Sequence, residues 1–412
     1  EANVTSLVNY RISINGTEKI NEYMKMLHAN KSNLIFSVLC SFYQDKSNRD
    51  NKQTQIIKKT KNVGSYVIID DYYMKIKMDT EEELTKDELK KLSKVNENYK
   101  IEDYDIFFRY KDRTSYFIKG KENIFRIDLT KVKRNYNINK LENMNYGYEI
   151  EIECIINNKK TLMVELFNKC AYIIKAVQGS DNIISKSKSQ NVLETYRKII
   201  GVGENTKSLY GRQPISLEIQ NLSVLQNKYC VTDKADGDRN FLIVVDKCCY
   251  LISSNLIVKD IGLSVSEKLN GTIVDGEYIF IKKYNKFLFM AFDCLFLGEK
   301  DIRNETKFFD RLSQIDDNLT TELNKNAFTD YQTNIGKNKI ITIENILSSH
   351  EKNMKLFYEN LNDLLKNSKK KVIFQRKYFM SCEGLSDNEI FKYITCYWNF
   401  YIENTSVDSI FT

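Results

Sequence analysis

Proline and histidine are nearly missing from this 412-residue chain, at one and two residues. His28 and His350 stand alone, with no motif around either. That argues against Ser-His-Asp or Cys-His catalysis and against a histidine metal site. The nine cysteines include no C-x-x-C pair, and the adjacent Cys248 and Cys249 are badly spaced for zinc. They read as free thiols of a reducing compartment. No stretch approaches the ~18 apolar residues of a membrane span. No apolar leader follows Glu1, and without a starting Met the chain is expected to be a piece of a longer protein. The net charge of +7, from 62 basic and 55 acidic residues, permits a polyanionic partner without demanding one. Any enzymatic chemistry here must therefore come from carboxylates, Lys, Arg and a hard metal.

The lone proline, Pro214, closes the glycine-bearing stretch "GVGENTKSLYGRQP". This stretch reads as a linker. Gly201 and Gly203 follow the helical pattern "NVLETYRKII", so they are not taken as a phosphate loop. The expected domains are 1–203 and 204–412. The first half holds short alternating strands in "GSYVIIDDYYMKIKM", "DYDIFFRYKDRTSYFIKG", "NIFRIDLTKVKR" and "YGYEIEIECIINN". "TEEELTKDELKKLSKV" reads as helix or loop. Closely spaced antiparallel strands with charge on one face suggest a barrel with a polar lumen. The second half shows strands at 227–233, 240–245, 248–253, 273–280 and 286–292. After about residue 305 it turns helical and polar. The lysine run after "NMKLFYENLNDLLKN" reads as a solvated helix end.

The stretch "VTDKADGDRNFLIVV" places Lys234 between Asp233 and Asp236, at the start of an apolar strand. A free lysine titrates near ~10.4 and is a poor nucleophile. Desolvation or a nearby metal cation lowers that value and frees the amine, whereas carboxylates alone raise it. The plain alternative is a surface ion pair of little worth. Further on, "YLISSNLIV" carries Ser254 at a turn, "GTIVDGEYIFI" carries Glu277, and "KFLFMAFDCLFLG" ends near Asp293. Acidic strand ends would converge with Lys234 on one cleft.

In order and spacing, "DKADGDR", "VDGEYI" and "FMAFDCLF" resemble the covalent nucleotidyltransferases, the superfamily of capping guanylyltransferases and nucleic-acid ligases. The resemblance implies that Lys234 attacks the α-phosphate of GTP. It implies that Asp233, Asp236, Arg239, Ser254, Glu277 and Asp293 bind the nucleotide, with Mg²⁺ or Mn²⁺ at the phosphates. Arg303 and Arg311 are weaker phosphate candidates. The glycine of K-x-D-G is expected to let the backbone pass close to the nucleotide.

In "YGYEIEIECI", Glu149, Glu151 and Glu153 share one strand face about 7 Å apart. A solvent face balanced by basic neighbours is the bland reading. A metal site inside a barrel is the sharper one, with Lys77, Arg109, Lys111, Arg113 and Arg126 binding a triphosphate. This half resembles the tunnel-type, metal-dependent RNA 5′-triphosphatases, and through "ISKSKSQNVLETYR" the resemblance adds Lys186 to the triphosphate contacts. The whole order, with "RQPISLE" before "NKYCVTDKADGDR", resembles the multifunctional capping enzymes of large cytoplasmic DNA viruses, of the Mimivirus type. That implies an α+β chain, an antiparallel β tunnel followed by a nucleotidyltransferase domain. It implies RNA 5′ ends and GTP as partners, a methyltransferase elsewhere, no membrane, and residence in the virion or a cytoplasmic viral factory. Two departures stand out. Nothing before residue 60 reads as a second Glu-x-Glu strand, which is expected upstream of Glu1. Ser409 in "SVDSIFT" stands where glycine is usual, and no lysine-rich motif or OB domain follows. An ATP- or NAD-dependent ligase and an inactive RNA-binding module are the alternatives.

Overall fold

Alternating apolar residues in the second half assemble one large sheet, and those in the first half assemble three small ones. The computed structural model describes residues 7–29, 54–61, 66–85, 87–88, 107–156, 160–211, 230–304, 307–323, 343–381, 386, 388–392 and 395. The chain is mixed α+β, mostly sheet, and divides into Glu1–Tyr172 and Ile173–Thr412. The linker at residues 212–214, the run-in "RQPISLE" and the "SVDSIFT" segment fall wholly or partly outside the described residues.

In the first unit, β1 (Leu7–Ile14), β2 (Thr54–Lys61) and β5 (Thr80–Glu83) form one antiparallel sheet. Helix α1 (Thr17–Ala29) follows β1, and β3 (Tyr66–Ile69) pairs with β4 (Met74–Lys77) as a hairpin. The third sheet is β6 (Phe108–Lys119), β7 (Ile124–Asn135) and β8 (Gly147–Ile156). Among the described residues these sheets do not join into a closed barrel. "TEEE" was expected as helix or loop and is a strand instead. Its register sets Glu81 opposite Lys59 and Glu82 opposite Lys58, so cross-strand charge pairing overrides the poor strand propensity of glutamate. Glu81 and Glu83 fall at alternate positions of this strand. Glu81 is taken by Arg11 and Lys59, each at 2.9 Å.

The division between the two units falls within the helix α2 (Leu162–Gln178). Helix α3 (Lys186–Ile200) belongs to the second unit because it buries Val192, Tyr196 and Ile200, four residues apart, against Phe241, Ile243 and Ile252. It stops at Gly201, whose amide bonds the Arg197 carbonyl, so the glycine pair is a helix end.

The large sheet runs β12 (Val258–Ser264), β11 (Cys248–Ser253), β10 (Asp238–Val245), β13 (Ile273–Ile281), β14 (Lys286–Leu297) and β15 (Lys300–Asp301). Beside β14, and parallel to it, lies β16 (Val372–Arg376), which the sequence reading took for helical chain. One sheet face holds Leu242, Val244, Phe289 and Phe374 under helix α4 (Phe308–Gln314) and the π-turn Ile315–Thr320. The other face carries two separate clusters. Helix α3 covers Phe241, Ile243 and Ile273, whereas helix α5 (Ile343–Asn367) covers Ile279, Leu288, Met290 and Ile373. Each fully buried large aliphatic or aromatic side chain contributes roughly 1.5–3 kcal/mol. Between the two clusters the same face exposes a polar gap, because positions 239, 275 and 277 carry Arg, Asp and Glu.

Candidate active site

The polar gap is where the second unit gathers its chemistry. The segment bearing Lys234 enters from β9 (Cys230–Val231), which pairs with β17 (Met380–Ser381). Thr232 Oγ1 donates to the Tyr378 carbonyl at 2.7 Å, and His350 Nδ1 lies 3.0 Å from the Tyr378 hydroxyl. Lys377 Nζ donates to the Asp233 carbonyl and sits 3.9 Å from Asp233 Oδ1. Its own amide is tied to the Ala291 carbonyl at 2.7 Å. Two glycines allow this closeness. A Cβ on Gly237 would come 2.9 Å from the Tyr278 carbonyl, and one on Gly276 would come 2.5 Å from Phe289 Cζ. The glycine of K-x-D-G thus packs its backbone closely on β13.

Arg239 grips Asp275 bidentately at 3.0 and 2.6 Å, and directly faces Glu277 across the β10–β13 ladder. Asp275 is buried, and burial raises its pKa against the pull of Arg239. Burial likewise pushes Glu277 up to about 7, with Lys377 opposing. The Lys377 amine is lowered by burial, opposed by Asp233 and Glu277. Asp233 Oδ2 and Glu277 Oε2 are buried without a hydrogen-bond partner. Asp293 stands opposite Asp275 on β14 and is bound by Arg311 at 2.8 and 3.2 Å. Arg303 is occupied by Asp301 at 2.9 and 2.7 Å. Ser254 lies exposed in the turn after β11.

Lys234 differs from expectation. Its side chain is 90% exposed and bonds Asp236 at 2.8 Å. The Asp236 carboxylate, with a smaller contribution from Glu277, raises the pKa of the amine. A neighbour two residues away thus holds it charged, where desolvation was expected to free it. Lys377, by contrast, is a buried amine whose pKa falls, and the sequence reading missed it.

In the first unit, Glu149, Glu151 and Glu153 do share one face of β8, with Thr130, Asp128 and Arg126 opposite them on β7. Arg109 holds Glu149 at 2.7 and 2.5 Å, Arg113 holds Glu151 at 2.5 Å, and Arg126 holds Glu153. Lys111 stands 3.7 Å from Glu151. Asp128, buried and unforeseen, takes Arg113 at 2.9 Å and Arg126 at 3.0 Å. Among the described residues no three acidic, cysteine or histidine side chains come together as a metal site. Each of the three carboxylates is bound by a guanidinium. Lys77 lies on another sheet and pairs with Asp79 at 3.3 Å. Lys186 is the first residue of α3, within the second unit.

The sequence model described as mRNA capping enzyme, catalytic domain, matches residues 174–394. The chain belongs to the mRNA capping enzyme family. The match begins at the start of the second unit and contains Lys234, Arg239, Glu277, Asp293 and Lys377. A curated capping-family relative, a probable mRNA-capping enzyme of Acanthamoeba polyphaga mimivirus, is 30% identical over 403 residues. The alignment covers 96% of this chain and 32% of that protein, so the chain spans about a third of the relative's length. A solved structure of the RNA triphosphatase domain of a trifunctional mimivirus mRNA capping enzyme shares 29% identity at a TM-score of 0.30. It covers 39% of this chain and 65% of that one. A monoclinic Mimivirus capping enzyme triphosphatase shares 28% identity at a TM-score of 0.29, covering 39% and 66%. We draw nothing about the fold from overlaps of that size. No described helix is long and apolar enough to cross a membrane.

Proposed function

We propose that the second unit transfers GMP from GTP to an RNA 5′-diphosphate through a covalent bond to Lys234. The carrying observation is the polar gap on the sheet face, which sets the Lys234 segment beside Glu277, Asp275, Arg239 and Lys377. Lys234 Nζ attacks the α-phosphorus, the bond to the β-phosphate oxygen breaks, and pyrophosphate leaves. The amine gives up its proton in that step. A terminal oxygen of the RNA diphosphate then attacks phosphorus, the N–P bond breaks, and the lysine is reprotonated.

Mg²⁺ is held by one or two carboxylates plus substrate phosphates, which suits the unpartnered oxygens of Asp233 and Glu277. When bound there it would neutralise phosphate charge and loosen the hold of Asp236 on the amine. Arg239 and Asp275 lock one wall of the gap. Lys377 supplies a buried cation that keeps the Asp233 backbone in place.

The test is incubation of the full chain with labelled GTP or ATP and Mg²⁺. Covalent label from GTP, lost in Lys234→Ala, is expected. Label from ATP alone would make the protein a ligase-type enzyme. For the first unit we propose RNA 5′-triphosphate docking, favoured by three carboxylates interleaved with Arg109, Lys111, Arg113 and Arg126 on one face. Phosphate oxygens would compete with the glutamates for those cations. Triphosphate titration of Arg109→Ala and Arg113→Ala checks it, and unchanged binding rejects it.

A further inference from the structure

A second charged surface lies in the capping-family unit, apart from the nucleotide gap. The β13–β14 turn carries Lys282, Lys283 and Lys286, and the end of α5 leading into β16 carries Lys366, Lys369, Lys370 and Lys371. Three of these lysines join the turn and the helix end to the rest of the unit. Lys286 Nζ donates to the Leu365 carbonyl and to the Ser368 carbonyl at 2.6 Å. Lys371 Nζ donates to the Asn285 carbonyl at 2.7 Å, and Lys370 Nζ to the Leu323 carbonyl. Cations are stabilised there because a helix C-terminus carries partial negative charge.

The other four, Lys282, Lys283, Lys366 and Lys369, are exposed and form no ion pair with any described carboxylate. Glu359 and Asp363 lie on the same helix, and neither is ion-paired to a described lysine. These four charges stand on a scaffold fixed by the other three, and an outside polyanion would meet them all with opposite charge.

The place of the surface narrows the partner. Lys282 is five residues beyond Glu277, which lines the gap. Lys371 is six residues before Lys377. At about 3.3 Å per residue, the surface stands roughly 17–20 Å from the nucleotide gap. A nucleotide chain whose 5′ end enters the gap would cross it within a few residues. We propose that this lysine surface holds the phosphate backbone of single-stranded RNA downstream of the 5′ end presented to Lys234. The proposal rests on the guanylyl-transfer reading for the direction of the RNA, and on the surface itself for the contact.

The test uses the full chain and a 5′-diphosphate single-stranded RNA of about twelve nucleotides, within the usual range of such sites. Binding is measured across salt concentrations for the native protein, for the Lys282→Ser, Lys283→Ser, Lys366→Ser, Lys369→Ser quadruple variant, and for the matching quadruple arginine variant. Each lost phosphate contact flattens the log-affinity against log-salt slope by ~0.7, so the serine variant is expected to lose about 2.8 from the slope. The arginine variant should keep the slope, and GTP labelling of Lys234 should be unchanged in both. Unchanged affinity and slope in the serine variant would overturn the proposal, and would leave the surface to an acidic protein. Loss of slope with no GTP label in any protein would support the docking surface while rejecting guanylyl transfer.

Discussion

On β8 three glutamates stand 27%, 43% and 55% exposed, each beside a guanidinium. On β13 the Asp275 side chain is 5% exposed, and Glu277 keeps an oxygen with no partner. Both strands bear acids at alternate positions, yet among the described residues only the second is enclosed by helices on the acidic face. Helix α3 and helix α5 cover that face from two sides and leave the acids between them. Water screens the β8 row, so each of its ion pairs is worth little. The β13 acids lose hydration, and their proton affinities rise as a result. A charged row therefore shifts its proton affinities through what is packed around it, more than through the row itself.

Removing one cation from a buried ion pair of the second unit and one from the β8 row shows the effect of enclosure most widely. Arg376→Ala strands Asp316, whose partner lies 2.5 Å away in the core with side chains only 7% and 8% exposed. We expect a loss of about 3–5 kcal/mol in urea unfolding. Arg109→Ala should cost less than ~1 kcal/mol. Equal losses would erase the contrast. Gly276→Ala comes next, because its Cβ would meet Phe289 at 2.5 Å and the Met290 carbonyl at 2.8 Å. Overpacking of that kind costs about 1–3 kcal/mol, read from the thermal midpoint.

Glu277 gives a smaller effect with a definite sign. An unfolded glutamate titrates near ~4.3, and in the fold this one titrates at about 7. Across that window the fold binds more protons than the unfolded chain, so the Glu277 contribution makes stability fall as pH rises. Asp316, pushed up to about 6 by burial against Arg376, slopes the same way, so only the difference between variants is informative. Glu277→Gln should flatten stability between pH ~4.3 and about 7. A steeper fall in the variant would contradict the assignment. The smallest effect is Glu153→Gln, which releases Arg126 to Asp128 alone and should shift stability by less than ~1 kcal/mol.

The strands β10, β11, β13 and β14 were legible because apolar runs ended at turn residues such as Asp246–Lys247 and Asn285. The face shared by Glu149, Glu151 and Glu153 was legible from period two alone. Strand β16 was not. All five residues of "VIFQR" are buried, and a strand buried on both sides shows no alternation. Lys377 was hidden for a different reason, since its partner Asp233 is 144 residues away. The packing of α3 on β10 was not legible, because Gly201, a helix stop, looks like a linker in sequence. The charge state of Lys234 could be read either way from its neighbours. Only the geometry shows that Asp236 holds it and that no apolar wall covers it.

Peptide mapping by mass spectrometry after GTP and Mg²⁺ treatment tests the central claim most directly. The account predicts one added GMP on the peptide containing Lys234, absent when GTP is replaced by ATP. No adduct, or an adduct on the buried Lys377, would contradict it.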